Sequence, residues 1–243
     1  MKKYIDLPDV DISDIPSIAD RSQAGTDCEI PDAVIKRLPR YFRCLRELLN
    51  RDVVRISSNE LSELTDVSAP QLRQDLKYFG GLGQRGYGYN VMRLYSSISE
   101  KLGVGCKYSA VIVGAGNLGT ALANSRLFEQ RGVWIKGIFD ISADVIGKRT
   151  ADAEVMDASG LKGFCRKNRI DIAVLCIPES DPGELEKLLD GTGVRGVWNL
   201  CPCEYKSKDG NVTVVNLCTG DSLMLLTYGM SEGKEKRKNE NKA

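Results

Sequence analysis

Tyr108-Ser-Ala-Val-Ile-Val113-Gly114-Ala-Gly116-Asn-Leu-Gly119 is the stretch that decides the fold. Its first half is rich in apolar and β-branched residues with no strict alternation, as in a strand covered on both faces of a parallel sheet. Its second half has glycines at 114, 116 and 119, and a helix is expected from Thr120 to Arg131. A lone Gly-x-Gly-x-x-Gly is weak evidence, but a strand before it and a helix after it supply the context of a dinucleotide-binding turn. Each glycine has a separate physical task. Gly114 permits the turn, Gly116 lets the backbone approach a pyrophosphate, and Gly119 lets the helix pack on the strand. The helix N-terminus adds partial positive charge for the phosphates. A second strand, Val133 to Phe139, ends at Asp140, 21 residues after Gly119. A carboxylate there accepts hydrogen bonds from both ribose hydroxyls and repels a 2′-phosphate, which predicts NAD(H) rather than NADP(H). The local alternative is that Asp140 caps the turn before Ser142. Lys148 and Arg149 soften the exclusion of NADP(H).

Downstream the β–α alternation continues. Helices are predicted over 158–168 and 182–190, strands over 170–177, 196–200 and 212–217, and helical spacing of Leu223, Leu226 and Met230 over 222–230. The expected class is α/β, a Rossmann-type doubly wound parallel sheet of roughly six or seven strands. The strand ends Cys176-Ile177-Pro178 and Trp198-Asn-Leu200-Cys201 then border the crevice where a nicotinamide sits. The candidate cofactor residues are Gly114, Ala115, Gly116, Asn117, Leu118, Gly119, Asp140, Ile177 and Pro178.

Upstream the pattern is different. Tyr41, Leu45, Leu48 and Leu49 recur at helical spacing, with Arg40, Arg43, Glu47 and Arg51 on the other face. Ser57-Ser58-Asn-Glu60 is a capping box opening a short helix through Leu64, and Ser68-Ala-Pro70-Gln71 opens another after only three residues. Two capped helices joined so tightly form a helix-turn-helix. The second helix, Ala69 to Phe79, buries Leu72, Leu76 and Phe79 and presents Gln71, Gln74, Lys77 and Tyr78, with Arg73 at its flank. Amides for adenine, cations for guanine or phosphate and an aromatic ring are what a groove-reading helix offers. The plain alternative is an ordinary solvated helix face. What favours DNA is the segment behind it, Gly80-Gly-Leu-Gly-Gln-Arg85-Gly-Tyr87-Gly, with five glycines in nine residues. It suits a tight basic hairpin, so the module reads as a winged helix. A further helix marked by Val91, Leu94, Tyr95, Ile98 and Leu102 connects the modules.

Composition agrees. The 243 residues carry 34 Lys plus Arg and 33 Asp plus Glu, but the near-neutral total hides an uneven distribution. Residues 1–29 have 3 basic and 7 acidic groups, and residues 30–108 have 13 and 8. The basic module is the one expected to meet a polyanion. No histidine is present, which excludes imidazole bases, His triads and His metal ligands. None of the 9 tyrosines has Lys four residues on, the usual alternative for a nicotinamide-dependent dehydrogenase. The 8 cysteines are scattered, and Cys201-Pro-Cys203 lacks the second pair a structural zinc site needs, so no metal is expected. No apolar run approaches the ~20 residues that cross a bilayer, and the N-terminus is no signal peptide, so a cytoplasmic protein without a membrane partner is expected.

The run Ile30-Pro-x-Ala-x-x-x-Arg37-Leu-Pro-x-Tyr41-x-Arg43-x-Leu45, then Ile56-Ser-Ser58-x-Glu60-Leu61, Leu72-Arg73-x-Asp75-Leu-x-Tyr-Phe79-Gly80, Gly83-x-Arg85-Gly-Tyr-Gly-Tyr89 and Gly114-Ala-Gly-Asn-Leu-Gly119 resembles the Rex family of bacterial redox-sensing repressors, over about residues 30–229. The resemblance implies a homodimer that binds operator DNA when NADH is scarce and leaves it when NADH binds, with no catalysis: NAD(H) is a regulatory ligand. It implies an inverted-repeat operator, expected to be AT-rich, contacted by Arg43, Ser58, Gln71, Arg73, Gln74, Lys77, Tyr78, Arg85 and Tyr87. It also implies a C-terminal helix swapped between protomers. The organisation expected is a disordered acidic leader (1–29), a winged-helix domain with its linker helix (30–107), an NAD(H)-binding Rossmann domain (108–220), the swapped dimerisation helix (221–230) and a disordered basic tail (231–243). Three features depart from the family pattern: Ser125 and Cys218 stand where Tyr and Asp are common, Gln74 stands where Lys or Arg is usual, and the leader is longer and more acidic. Two other readings stay open on the residues alone: a divergent NAD(H)-binding paralogue with weakened redox switching or an altered DNA target, and an NAD-dependent oxidoreductase.

Overall fold

The structure is a computed structural model that describes residues 29–79, 83–84, 87–150, 153–178, 181–208 and 210–240, the side chains of 83–84 and 232–240 excepted. The acidic leader up to residue 28 and Arg85 lie outside the described residues. The chain divides into two units between Gly105 and Cys106.

In the first unit a short helix α1 (Asp32–Ile35) leads into α2 (Leu38–Leu49), then β1 (Arg55–Ile56), α3 (Ser58–Thr65), α4 (Ala69–Leu76), β2 (Gly83–Gln84), β3 (Gly88–Asn90) and α5 (Val91–Lys101). Local chemistry sets these boundaries. Ser57 and Glu60 close both halves of the capping box of α3. At α4 only half of the second box forms: Ser68 accepts from the Gln71 N–H, while the Gln71 side chain turns elsewhere. α4 ends at Leu76, and Lys77–Phe79 tighten into a 3-10 turn. β2 and β3 form the expected hairpin, with β3 central in the antiparallel order β1-β3-β2. The core gathers Tyr41, Leu45, Leu61, Leu72, Val91, Leu94 and Ile98. The helix read as a connector, α5, is therefore part of this core, and the Tyr95 ring stacks on Phe42 at 4.9 Å between centroids.

The second unit runs β4 (Tyr108–Val113), α6 (Asn117–Ala123), β5 (Val133–Asp140), β6 (Arg149–Thr150), β7 (Ala153–Asp157), α7 (Leu161–Asn168), β8 (Ile172–Leu175), α8 (Pro182–Leu189), β9 (Gly196–Asn199), β10 (Thr213–Asn216) and α9 (Thr219–Glu240). The seven strands lie in the order β10-β9-β8-β4-β5-β7-β6, parallel except for β6 against β7. Alternate residues of β4, β5 and β8 feed two cores on opposite faces. One holds Val111, Val113, Phe139, Leu175 and Leu185; the other holds Ile112, Ala115, Phe128, Ile138 and Val174.

Four elements differ from expectation. The helix after the glycine turn stops at Ala123 instead of reaching Arg131. There Asn124 Nδ2 donates to the Thr120 carbonyl and Ser125 Oγ to the Leu122 carbonyl, side-chain bonds that compete with the helical ladder. The strands β6 and β7 have no counterpart in the sequence reading, because β7 buries only Val155 and shows no clean alternation. The C-terminal helix starts at Thr219 and continues to Glu240, so residues 231–240 are helix where disorder was expected. Their Glu, Lys and Arg content is helix-favouring, and polarity alone does not end a helix.

Candidate functional site

The glycine turn is shaped by two contacts. Gly114 has φ +103°, and a Cβ there would lie 2.6 Å from the Cys176 carbonyl oxygen. A Cβ on Gly119 would lie 1.9 Å from the Gly114 carbonyl oxygen, so α6 can approach the end of β4 only without a side chain at this position. A Cβ on Gly116 meets nothing within 4 Å. The loop is thus closed by backbone on two sides and open at Gly116, where α6 begins with no side-chain cap. Asn117 and Leu118, in the first turn of α6, are exposed beside that opening. These residues fit a dinucleotide pyrophosphate: the space, the helix amides and the partial positive charge coincide.

Asp140 closes the cradle from β5. Its Oδ2 accepts from the Ala115 N–H at 2.6 Å and its Oδ1 accepts from the Ser142 N–H at 2.8 Å. The turn-capping role is therefore present, and the same carboxylate also ties the glycine loop to the β5 end. Each oxygen keeps a second lone pair for a diol. On the far side, Cys176, Trp198 and Leu200 join one sheet face with Ala115 and Phe128, the Trp198 and Phe128 rings meeting edge to face at 5.9 Å. Ile177 packs with the opposite face and Pro178 is exposed. The Cys176–Ile177 backbone nevertheless lies against the Gly114 turn, so the end of β8 and the glycine loop meet. Burial, with a smaller contribution from Cys201, pushes the Cys176 thiol up to about 12, and burial pushes Cys165 up to about 11, so neither is a thiolate at neutral pH.

In the first unit, one buried carboxylate organises the helix-turn-helix. Asp75, on α4 and fully buried, accepts from Arg37 Nε at 2.7 Å, Arg37 Nη2 at 2.8 Å, the Tyr41 hydroxyl at 2.6 Å and Gln71 Nε2 at 2.8 Å. Burial works to raise the Asp75 pKa, but the hydrogen bonds from Arg37, Tyr41 and Gln71 outweigh it and hold it below the usual carboxylate range. Burial, together with the bond to Asp75, pushes the Tyr41 hydroxyl up. The bonds lock α4 to the residues around the start of α2. They also correct one expected groove contact: the Gln71 amide is turned to Asp75, not outward. Tyr78 is half-buried against the core.

Arg73 and Gln74 are exposed on α4 and Lys77 on the 3-10 turn after it, and Arg73 Nη1 donates to Ser58 Oγ at 3.0 Å, bringing together two of the predicted contact residues from the two helices. Arg43 is exposed on α2. Tyr87 is exposed on the hairpin, and Arg55, which the sequence reading missed, holds its guanidinium 5.8 Å from the Tyr87 ring centre and donates to the Tyr87 carbonyl. Its only trace in the sequence is a basic residue just before the α3 capping box. The strand pairing that places it beside the hairpin is not a local property.

Two family models match the chain: one described as "Putative DNA-binding protein N-terminus" over residues 29–77, and one described as "CoA binding domain" over residues 106–203. A protein called redox-sensing transcriptional repressor Rex from Caldanaerobacter subterraneus is 48% identical over 82% of this chain and 89% of its own. Another of that description from Clostridioides difficile is 48% identical over 83% of this chain and 96% of its own. Among solved structures, RSP in complex with β-NAD+ and operator DNA is similar with a TM-score of 0.80 and 44% identity, covering 88% of this chain and 98% of that one. RSP in complex with β-NADH is similar with a TM-score of 0.78 and 43% identity, covering 87% and 99%. Among the described residues no group of three or more His, Cys, Asp or Glu could hold a metal ion, and no helix is long and apolar enough to cross a membrane.

Proposed function

The chain belongs to the Rex family of redox-sensing transcriptional repressors, and from that premise we propose that it binds operator DNA through its first unit while NADH is low and leaves the DNA when NADH binds its second. NAD(H) is a regulatory ligand here and not a substrate; the protein is a repressor and not an enzyme. The observation that carries this reading is the glycine cradle, closed by backbone at Gly114 and Gly119 and open at Gly116, in the same chain as a winged helix. Coenzyme A and NAD share an ADP pyrophosphate, which is the part such a cradle grips, so a match to a family model described by the former fits binding of the latter.

The backbone of Gly114, Ala115 and Gly116 and the first turn of α6 at Asn117, Leu118 and Gly119 hold the pyrophosphate, and Asp140 takes the ribose diol and disfavours a 2′-phosphate. Ile177 and Pro178 close the crevice beside the glycine turn, and Cys176, Trp198 and Leu200 give its wall a low-polarity surface. NAD+ and NADH differ by a hydride and one positive charge on the nicotinamide, so this wall favours the neutral reduced ring. Only that difference in affinity, not tightness itself, can shift the protein between DNA-bound and free states.

On the DNA side, Gln74 and Arg73 read the groove; Lys77, Arg43, Ser58, Arg85 and Tyr87 meet the backbone, with Arg55 bracing Tyr87. Gln71 and Tyr78 act mainly through the packing of α4. The functional form is a homodimer on an AT-rich inverted repeat in the cytoplasm. Its contact is α9, where Leu223, Met224, Leu225, Leu226, Tyr228 and Met230 are all more than half exposed and form an apolar surface that a partner protomer's domain covers. The test is DNA binding by fluorescence anisotropy at fixed salt over a series of NADH to NAD+ ratios. Release by NADH and retention by NAD+ are expected; an operator complex indifferent to NADH would refute the sensing role.

A further inference from the structure

The first unit contains a cavity of about 190 Å³ along α2, whose lining includes none of Arg37, Tyr41, Gln71 and Asp75. Arg40, Arg43 and Arg51 rim it, and Cys44, Leu48 and the 55% exposed Leu64 form an apolar floor. Glu47 also borders it, leaving three cations against one carboxylate. Among the described residues none of the three arginines closes an ion pair, although Arg40 is anchored by a bond from Nη1 to the Thr65 carbonyl at 3.0 Å. Arginine forks above an apolar floor suit a ligand that carries carboxylates and branched apolar groups on a short segment.

Such a segment precedes this unit in the same chain. Ile5-Asp6-Leu7-Pro8-Asp9-Val10-Asp11-Ile12-Ser13-Asp14-Ile15 interleaves carboxylates with branched apolar residues and has no cation. It lies outside the described residues, and the DNA-binding family model begins only at residue 29. We propose that the α2 groove is the docking site of this acidic leader, with carboxylates on Arg40, Arg43 and Arg51 and apolar side chains on the floor. Reach does not limit it: the residues from Asp14 to Asp32 span up to about 60 Å extended, against about 18 Å for the length of α2. Tethering raises the effective concentration of the segment to roughly millimolar, so a weak contact suffices. The docked leader neutralises cations on the basic module and so weakens its attraction for a phosphate backbone.

The test uses the full chain with the photo-crosslinking residue p-benzoylphenylalanine in place of Leu64. Irradiation followed by peptide mapping is expected to give an intrachain product within residues 5–15. A mixture of isotopically light and heavy chains distinguishes it from a product between copies. The yield is expected to fall at least five-fold when Asp6, Asp9, Asp11 and Asp14 are changed together to Asn, with the melting of the first unit as the control for folding. It is expected to fall similarly in Arg51→Glu and to be retained in Arg51→Lys, which keeps the cation. Products only between copies, products only with added operator DNA, no leader product, or a yield indifferent to the Asp→Asn changes would each overturn the proposal.

Discussion

Removing Arg37 tests the buried carboxylate that ties α4 to α2. In Arg37→Ala, Asp75 loses two of its four hydrogen bonds and its only cation within ion-pair distance among the described residues, while Tyr41 and Gln71 remain. A hydrogen bond to a charged group contributes about 1.5–3 kcal/mol, which for two gives roughly 3–6 kcal/mol. The Arg37 side chain is 29% exposed and Asp75 is 0% exposed, so the arginine regains some hydration but the carboxylate gains little. That places the expected loss at about 3–5 kcal/mol, the usual cost of stranding one partner of a buried pair. Tyr41→Phe, which leaves the ion pair intact, should cost about half as much. Both tryptophans, Trp134 and Trp198, lie in the second unit, so their fluorescence does not report on this loss. Amide hydrogen exchange of peptides from α2 and α4 across a urea series does. The sign of the pH dependence follows from the lowered Asp75 pKa. Its stabilisation is fully present above the unfolded carboxyl value of about 4 and is lost as pH falls through the folded value, so Arg37→Ala should begin acid unfolding at a higher pH. A loss below about 1 kcal/mol, or an unchanged acid midpoint, would refute this account of the carboxylate.

Three further outcomes are expected. Gly119→Ala places a Cβ against the Gly114 carbonyl and should displace α6, costing about 1–3 kcal/mol in thermal unfolding of the second unit and abolishing NADH binding by calorimetry, while Gly116→Ala, facing open space, should leave unfolding unchanged. Asp140→Ala should weaken NADH binding and blunt NADH-induced release of the operator, without altering operator binding in the absence of nucleotide. Arg73→Ala should weaken operator binding by about 1–3 kcal/mol and relax preference at one base pair if it reads a base, whereas Lys77→Ala should weaken binding uniformly across sequences and lower the salt slope.

Legibility divides along the range of the interactions. The capping box at Ser57 and Glu60, the glycine hairpin and the strand-glycine-helix fingerprint are short-range devices, and each occurs where the sequence predicts it. The short α6 was misread although its cause is local, because Asn124 and Ser125 are compatible with helix and end it only by bonding back to the backbone. β6 and β7 were missed because an edge hairpin that buries one valine has no periodicity to detect.

The functional surfaces divide in the same way. From the sequence alone come the two modules, the cofactor class and the candidate residues for both sites, since glycine spacing, charge distribution and the missing histidine are properties of the chain itself. Only the tertiary structure turns the Gln71 amide inward to Asp75, joins Arg73 to Ser58, sets Arg55 beside Tyr87 and gives Asp140 its bond to Ala115. Those contacts link residues 4 to 32 positions apart, and three of the four depend on how helices and strands pack. Hydrogen bonding reaches only about 3 Å, so which polar groups are occupied and which remain for a ligand is settled only when packing brings them together.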